Sequence, residues 1–455
     1  MVNGRRLDLF VNEMRPRFED LLGQMVEVPS ISMEPSHKED MRRMANLAAE
    51  CLRGFGAEAH VVKTGGYPVV SGGWTTGSGH PTVTVYNHMD VQPAQEPEWR
   101  HSPFVFTSEG GIYRGRGATD DKGPALSALL GARFAIDQGV PINIQFLWEL
   151  EEEIGSPNFS AALRDRRAVP RPDSVVVSDT IWVAKGRPAI PYGLRGLLGA
   201  RLSLRTGSKD AHSGLTGGAA RNPLAELMEV ANGCLDAVTG RVKIPGFYSD
   251  VRKPTRAEIR SFCRSGFQTT RFKEAYGFRS LRTRDSVEVM RRIWAAPTFE
   301  IHGLTGGYHG PGVKTVVPSW GELKVSMRLV PDQTPEKIYA ALKHHVAKIN
   351  SSVKVEREGM LQPFRGSFEG PYVDAVTRAV NAGFGKQPAF IREGGSIGAV
   401  VTMERAWKVP ILFMGLSLPE HGYHAPNEYF DWGQASGGIK AFAHYFAELA
   451  NLGQK

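Results

Sequence analysis

The segment INIQFLWELEEEIGS, residues 142–156, is largely apolar as far as Leu150 and then presents Glu151, Glu152 and Glu153 in succession. A short apolar run that ends in charge reads as a strand buried on both faces, with its carboxyl end at a surface. Three other segments share this shape: TVTVYNHMDV (82–91), SVVVSD (174–179) and ILFMGLS (411–417). Between and around them, amphipathic stretches predict helices over 8–26, 38–55, 123–138, 159–165 and 435–450. In the first of these, Leu9, Phe10, Met14, Phe18, Leu21, Leu22 and Met25 recur at three- and four-residue steps and form one helix face. Apolar strands alternating with helices predict an α/β fold, with a mixed, largely parallel sheet covered by helices.

Around Tyr192 the texture changes. YGLRGLLGARLSLRT (192–206) and GELKVSMRLV (321–330) alternate polar and apolar residues, as half-exposed strands do. Residues 222–236 and 335–349 read as helices beside them. A chain of 455 residues exceeds what one core usually organises. We therefore expect a discontinuous catalytic domain over 1–194 and 370–455, with an inserted α+β lid domain over 195–369.

Composition narrows the function classes. Hydrophobic residues make up 41% and charged residues 22%, which is ordinary for a folded globular protein. The net charge of +8 is spread among acids rather than concentrated in a run. It reads as solvation, with some steering of anionic substrates, and not as a nucleic-acid-binding module. Cys51, Cys234 and Cys263 are odd in number and scattered, so reduced thiols and a cytoplasmic location are expected. The N-terminus lacks the apolar core of a secretory signal, and no apolar run has membrane-spanning length.

The strand ends carry chemistry. His88 and Asp90 stand two residues apart at the end of one strand and so share a face. A carboxylate so placed can fix the tautomer of a metal-bound imidazole. Asp120 and Asp121 lie side by side in GRGATDDKGP (115–124), ahead of a helix. Either could cap that helix, but adjacent acids repel, and a dication would neutralise them better than Lys122 alone. Glu149 to Glu153, Asp179 and the pair His421 and His424 complete the set. Ligands bind at the carboxyl ends of strands in open α/β sheets, which argues against a merely solvated acidic run. Nitrogen and oxygen donors without cysteine suit a catalytic zinc, manganese or cobalt site.

HMDVQPA, GRGATDDKGP, EEEIGS, VVSD, DAHSGLTGG, KTVVP, RLVPDQTPE, REGGSIG and HAPNE follow one another along the chain. Their order and spacing resemble the M20 metallopeptidases, and within these the carnosinase-like dipeptidases. The resemblance covers nearly the whole sequence. It implies two divalent ions, zinc being expected and manganese or cobalt alternatives. His88 and Asp179 would hold one ion, Glu153 and His424 the other, and Asp120 would bridge them. Asp90 would orient His88, and Glu152 would be the general base. It also implies a cis peptide bond at Asp120–Asp121. Arg328 and Ser396 match positions that hold a substrate carboxylate, with Thr315 and Gly395 as weaker correspondences. His212 resembles a lid histidine that enters the partner subunit's site, so the lid would also be the dimerisation domain of a homodimer.

The sequence departs from the family pattern in three places. Asn87 stands where glycine is usual, the run from Glu149 to Glu153 is unusually acidic, and SFEGPYVDA (367–375) lacks a further lid histidine. The last of these argues against carnosine-like substrates. Two-metal chemistry lowers the pKa of a shared water. Glu152 would take its proton, His212 and a metal would stabilise the oxyanion, and Glu152 would return the proton to the leaving amine. The expected substrate is a dipeptide or short peptide with a free carboxylate. The alternatives are an amidohydrolase acting on N-acyl amino acids and a metal-binding scaffold with a dead site.

Overall fold

The structure, a computed structural model, describes residues 2–453. Its centre is a six-stranded sheet in the order Glu58–Val62, Val69–Trp74, Asn143–Glu149, Thr82–His88, Ser174–Val177, Ile411–Phe413. The last four run parallel, and the first two join antiparallel at one edge. Strand Asn143–Glu149 is buried along its whole length, which explains its nearly continuous apolar character. Period-two alternation then divides the side chains between two cores. Val176 faces one core while Val175 and Val177 face the other.

The larger core is covered by helices Gly4–Val26, Lys38–Gly54, Gly123–Asp137, Pro371–Phe384 and Trp432–Leu452. The smaller is covered by Phe159–Ala162 and Gly398–Trp407. The first helix begins four residues before its apolar stripe announces it, because the Asn3 side chain caps it by accepting from the Arg6 N–H at 3.2 Å. Neither adjacent aspartate caps Gly123–Asp137; its N-cap position is Lys122, with no side-chain capping bond.

A second body has an antiparallel sheet in the order Glu300–Thr305, Trp320–Leu329, Gly196–Arg205, Lys354–Leu361, with helices Pro223–Cys234 and Pro335–Ile349 packed on one face. Strand Gly196–Arg205 alternates buried and half-buried residues, as the sequence pattern predicts. The alternation begins at Gly196 rather than at Tyr192. The preceding strand, Ala189–Leu194, is wholly buried and pairs with Phe364–Arg365 and Ala389–Glu393.

Helices Arg256–Arg264, Thr269–Ala275 and Ser286–Ala295 have no counterpart in the sequence reading. Phe262, Met290 and Trp294 from them pack against Ala189, Tyr192 and Ile391. Glu258 ties them down, accepting from the Tyr192 hydroxyl at 2.6 Å and from the Arg392 guanidinium. The segment thus leans on the strands that lead toward the strand-end site. No helix among the described residues is long and apolar enough to cross a membrane. All three cysteines are free thiols, with Cys51 and Cys234 buried and Cys263 exposed.

Candidate metal centre and catalytic cleft

The four parallel strands end side by side, and the segments leaving them deliver their polar side chains to one place. His88 is the last residue of its strand, Glu152 and Glu153 open a short helical turn, and Asp179 lies two residues beyond Ser174–Val177. His424 comes from the loop after Ile411–Phe413, and Asp120 from the turn Ala118–Lys122. His88 Nε2 stands 2.9 Å from Asp120 Oδ1 and 3.9 Å from Asp179 Oδ2. His424 Nε2 stands 2.9 Å from Asp120 Oδ2 and 3.2 Å from Glu153 Oε2. Asp120 therefore turns one oxygen toward each histidine. Donor atoms of His88, Glu152 and Asp179 lie within 4.8 Å of one another, and so do those of Asp120, Glu153 and His424.

Four carboxylates meet here without a Lys or Arg ion pair to any of them among the described residues. Lys122 does not relieve them. It is buried, and its ammonium donates to the carbonyls of Met25 and Val28 instead. Burial and the nearby Asp179 push the Glu152 carboxyl well above its usual range, and burial lifts Asp179 to about 6. Burial opposes a charged Asp120, yet hydrogen bonds from His424 and His88 hold it below the carboxylate range. Burial likewise opposes an imidazolium at His424, but Asp120 and Glu153 raise it to about 11. The acids thus draw positive charge onto the imidazoles. A cation would supply that charge and leave the histidines as neutral ligands. This donor set, in two groups that meet at Asp120, fits two divalent cations of the borderline class.

Supporting contacts explain the neighbouring motif residues. The Asp90 carbonyl stands 3.0 Å from His88 Nδ1, and the Asp90 carboxylate lies 3.5 Å from the same nitrogen. That carboxylate also accepts from the N–H groups of Glu152 and Glu153 and from the Ser32 hydroxyl, so it fixes the glutamate turn. Glu428 of HAPNE accepts from Arg116 and from the N–H groups of Gly117, Thr119 and Asp120, holding the aspartate turn. Asn87 donates to Asp121 Oδ2 at 2.7 Å, and the Asp120–Asp121 peptide bond is cis. Glu149 and Glu151 turn inward to Tyr86 and Ser156, and to Tyr67 and Asn158. His421 is buried beside Thr119 and Asp431 and takes no part in either donor group.

The centre opens into a cavity of ≈ 850 Å³, within the range that holds a small ligand. Arg328, Gly395 and Ser396 line it together with Asp120, Glu152, Asp179 and His424. Arg328 donates to the Ser396 hydroxyl at 3.0 Å, and that hydroxyl donates to the Arg195 carbonyl. His212 and Thr315 do not line this cavity. Both are exposed and sit together, His212 on the two-stranded ribbon of Ala211–His212 against Val316–Val317 and Thr315 just before its second strand.

Among the cavity residues that escape the sequence reading, three have polar side chains close to the predicted ones. Arg195 lies beside Arg328, and burial with that second positive charge lowers its pKa to about 10. Tyr423 donates its hydroxyl to Asp179 and stacks on His424. Glu393 lines the wall near Ser396. The REGGSIG and HGYHAPNE segments contain two of these residues, but nothing in their spacing distinguishes them from scaffold.

Known proteins are similar to this chain along most of their length. The chain is 29% identical to the Cys-Gly metallodipeptidase dug1 of Schizosaccharomyces pombe, over 97% of each. It is 29% identical to the human Beta-Ala-His dipeptidase, over 97% of this chain and 92% of that one. Among solved structures, the M20 family metallo-carboxypeptidase Sso-CP2 of Sulfolobus solfataricus superposes with a TM-score of 0.87 at 30% identity, covering 94% of this chain and 98% of that one. The model of Peptidase family M20/M25/M40 matches residues 84–448, which span every strand end described above, and the chain belongs to that family.

Proposed function

We propose that this protein is a dipeptidase that uses two divalent ions, zinc in the first instance, to hydrolyse the amide bond of dipeptides or short peptides. The observation that carries the reading is Asp120, whose two oxygens face the histidines of two separate donor groups. His88 and Asp179 would hold one ion, Glu153 and His424 the other, with Asp120 between them. When bound, the ions polarise the scissile carbonyl and lower the pKa of water. Glu152 lies in the first donor group and lines the cavity. It would take the proton from the attacking water and deliver it to the leaving amine. Arg328, with Ser396 and Arg195 beside it, offers a positively charged fork to the substrate carboxylate. Gly395 lines the cavity beside Ser396 at that end.

His212 and Thr315 stand at the ribbon outside the cavity, so in this reading they serve the site of a second copy in a homodimer. The lid over 195–369 carries that interface, and the free thiols accord with a cytoplasmic location. The test is metal content beside turnover on a panel of dipeptides and N-acyl amino acids. Wild type should bind two ions and cleave dipeptides. Glu152→Gln should keep both ions and lose about 10²–10⁴-fold in kcat. Full turnover in that variant would remove Glu152 from the mechanism, and cleavage of acyl amino acids alone would replace the dipeptidase reading.

A further inference from the structure

Beyond the donor atoms, the cavity has an aromatic lining that the hydrolytic scheme leaves unused. Phe272, Tyr276 and Phe278 come from the segment around helix Thr269–Ala275, and Trp294 lines the same cavity. The rings of Phe272 and Tyr276 are 5.0 Å apart, and those of Tyr276 and Phe278 are 5.9 Å apart and stacked. Tyr276 remains 57% exposed and Phe278 47% exposed. Large rings left open to water inside a concave site present apolar area that a ligand can cover.

Glu393 lies in the same cavity. Its Oε2 is shielded from solvent and has no hydrogen-bond partner. Arg195, Arg271, Arg328 and Lys185 also line the cavity, yet none forms an ion pair with Glu393 among the described residues. The preceding residue, Arg392, is committed to Glu258. Burial, reinforced by Asp179, pushes the Glu393 carboxyl up to about 8, and its charge in turn acts on the Tyr276 phenol. Glu393 is thus within electrostatic reach of the metal centre on one side and of the aromatic wall on the other. A shielded carboxylate oxygen without a cation is costly unless something positive arrives.

We propose that Glu393 and the aromatic wall form a subsite for the amino-terminal residue of the substrate, binding its free ammonium and a bulky apolar side chain. This rests on the dipeptidase reading and narrows it to dipeptides with an unblocked amine and an aromatic or large aliphatic first residue. Such a site discriminates against N-acyl amino acids, which bring no positive charge to Glu393.

The test separates binding from turnover. Calorimetry on full-length, metal-loaded Glu152→Gln protein would measure phenylalanylglycine, glycylglycine and the analogue of phenylalanylglycine with hydrogen in place of the amino group. Phenylalanylglycine should bind at least about 10-fold more tightly than glycylglycine, from burial of the ring. Adding Glu393→Gln should weaken phenylalanylglycine by about 30-fold or more, while the analogue without the amine keeps its affinity. Adding Phe272→Ala and Tyr276→Ala should erase the preference for phenylalanylglycine over glycylglycine. Equal loss for both phenylalanyl compounds on Glu393→Gln, or no loss, would overturn the ammonium assignment. A preference that survives the aromatic substitutions would overturn the side-chain assignment. If wild type hydrolysed none of the dipeptides, the proposed activity would fall, while the binding series would still decide the subsite.

Discussion

Tyr423 joins the two halves of the proposed metal centre. Its hydroxyl donates to Asp179 Oδ1, and its ring stacks on His424 with centroids 5.6 Å apart and an interplanar angle of 26°. Oδ2 of Asp179, the oxygen that faces His88, is left for a cation. A group that orients a ligand in this way is worth about 10–100-fold in metal affinity. Tyr423→Phe should therefore bind metal at least about 10-fold more weakly in competition with a chelator, and unchanged competition would show that the hydroxyl orients nothing. Most of the proposed ligands were legible in the sequence because they lie at or just beyond the end of an apolar run, where position separates a functional acid from a solvated one. Asp120 stands out as one of two adjacent acids in a glycine-rich turn, and the role of each ligand comes from the resemblance to the family. Tyr423, Arg195 and Glu393 were not legible. Their importance lies in what they face across the cavity, which no local period records. Lys122 shows the converse. In sequence it adjoins two aspartates, yet the turn directs it to the carbonyls of Met25 and Val28.

Among elements, the ribbon that pairs Ala211–His212 with Val316–Val317 stands apart from the cavity it is proposed to serve. Leu215 at 86% exposure and Val313 at 92% lie close to it in sequence, so the region presents uncovered apolar side chains. If this face completes a second protomer's site, His212→Ala should lower kcat by about 100-fold. Dissociated and reassembled mixtures with Glu152→Gln should then regain up to about a quarter of wild-type activity, because half the dimers are mixed and each has one intact site. Mixtures no more active than their parents would rule the exchange out. The four parallel buried strands and most of the long helices were readable from period and composition, whereas buried strands Val69–Trp74 and Ala189–Leu194 and helix Pro371–Phe384 were not. Strands Glu300–Thr305 and Lys354–Leu361 were not, because they lie at the sheet edges with largely exposed or half-buried side chains. Helices Arg256–Arg264 to Ser286–Ala295 were missed for a related reason. They are short and charged, and only a few large residues anchor them.

For the whole molecule, the proposed ligands run from His88 to His424, so metal binding gathers segments separated by most of the chain. The fold class followed from the alternation of strands and helices, since four parallel strand ends must converge once the sheet forms. The number of separate cores did not follow, because the fourth core, around Phe262 and Trp294, draws on segments far apart in the chain. The centre is also lopsided toward water. His424 is 52% exposed on its loop, whereas His88 is 1% exposed beneath the sheet end. Demetallation should accordingly be biphasic when followed by stopped flow with a coloured chelator: the outer ion departs quickly and the inner one lags. A single exponential carrying both equivalents would contradict this. Storage in mild chelator would then leave a half-loaded species, inactive yet restored by one equivalent of ion.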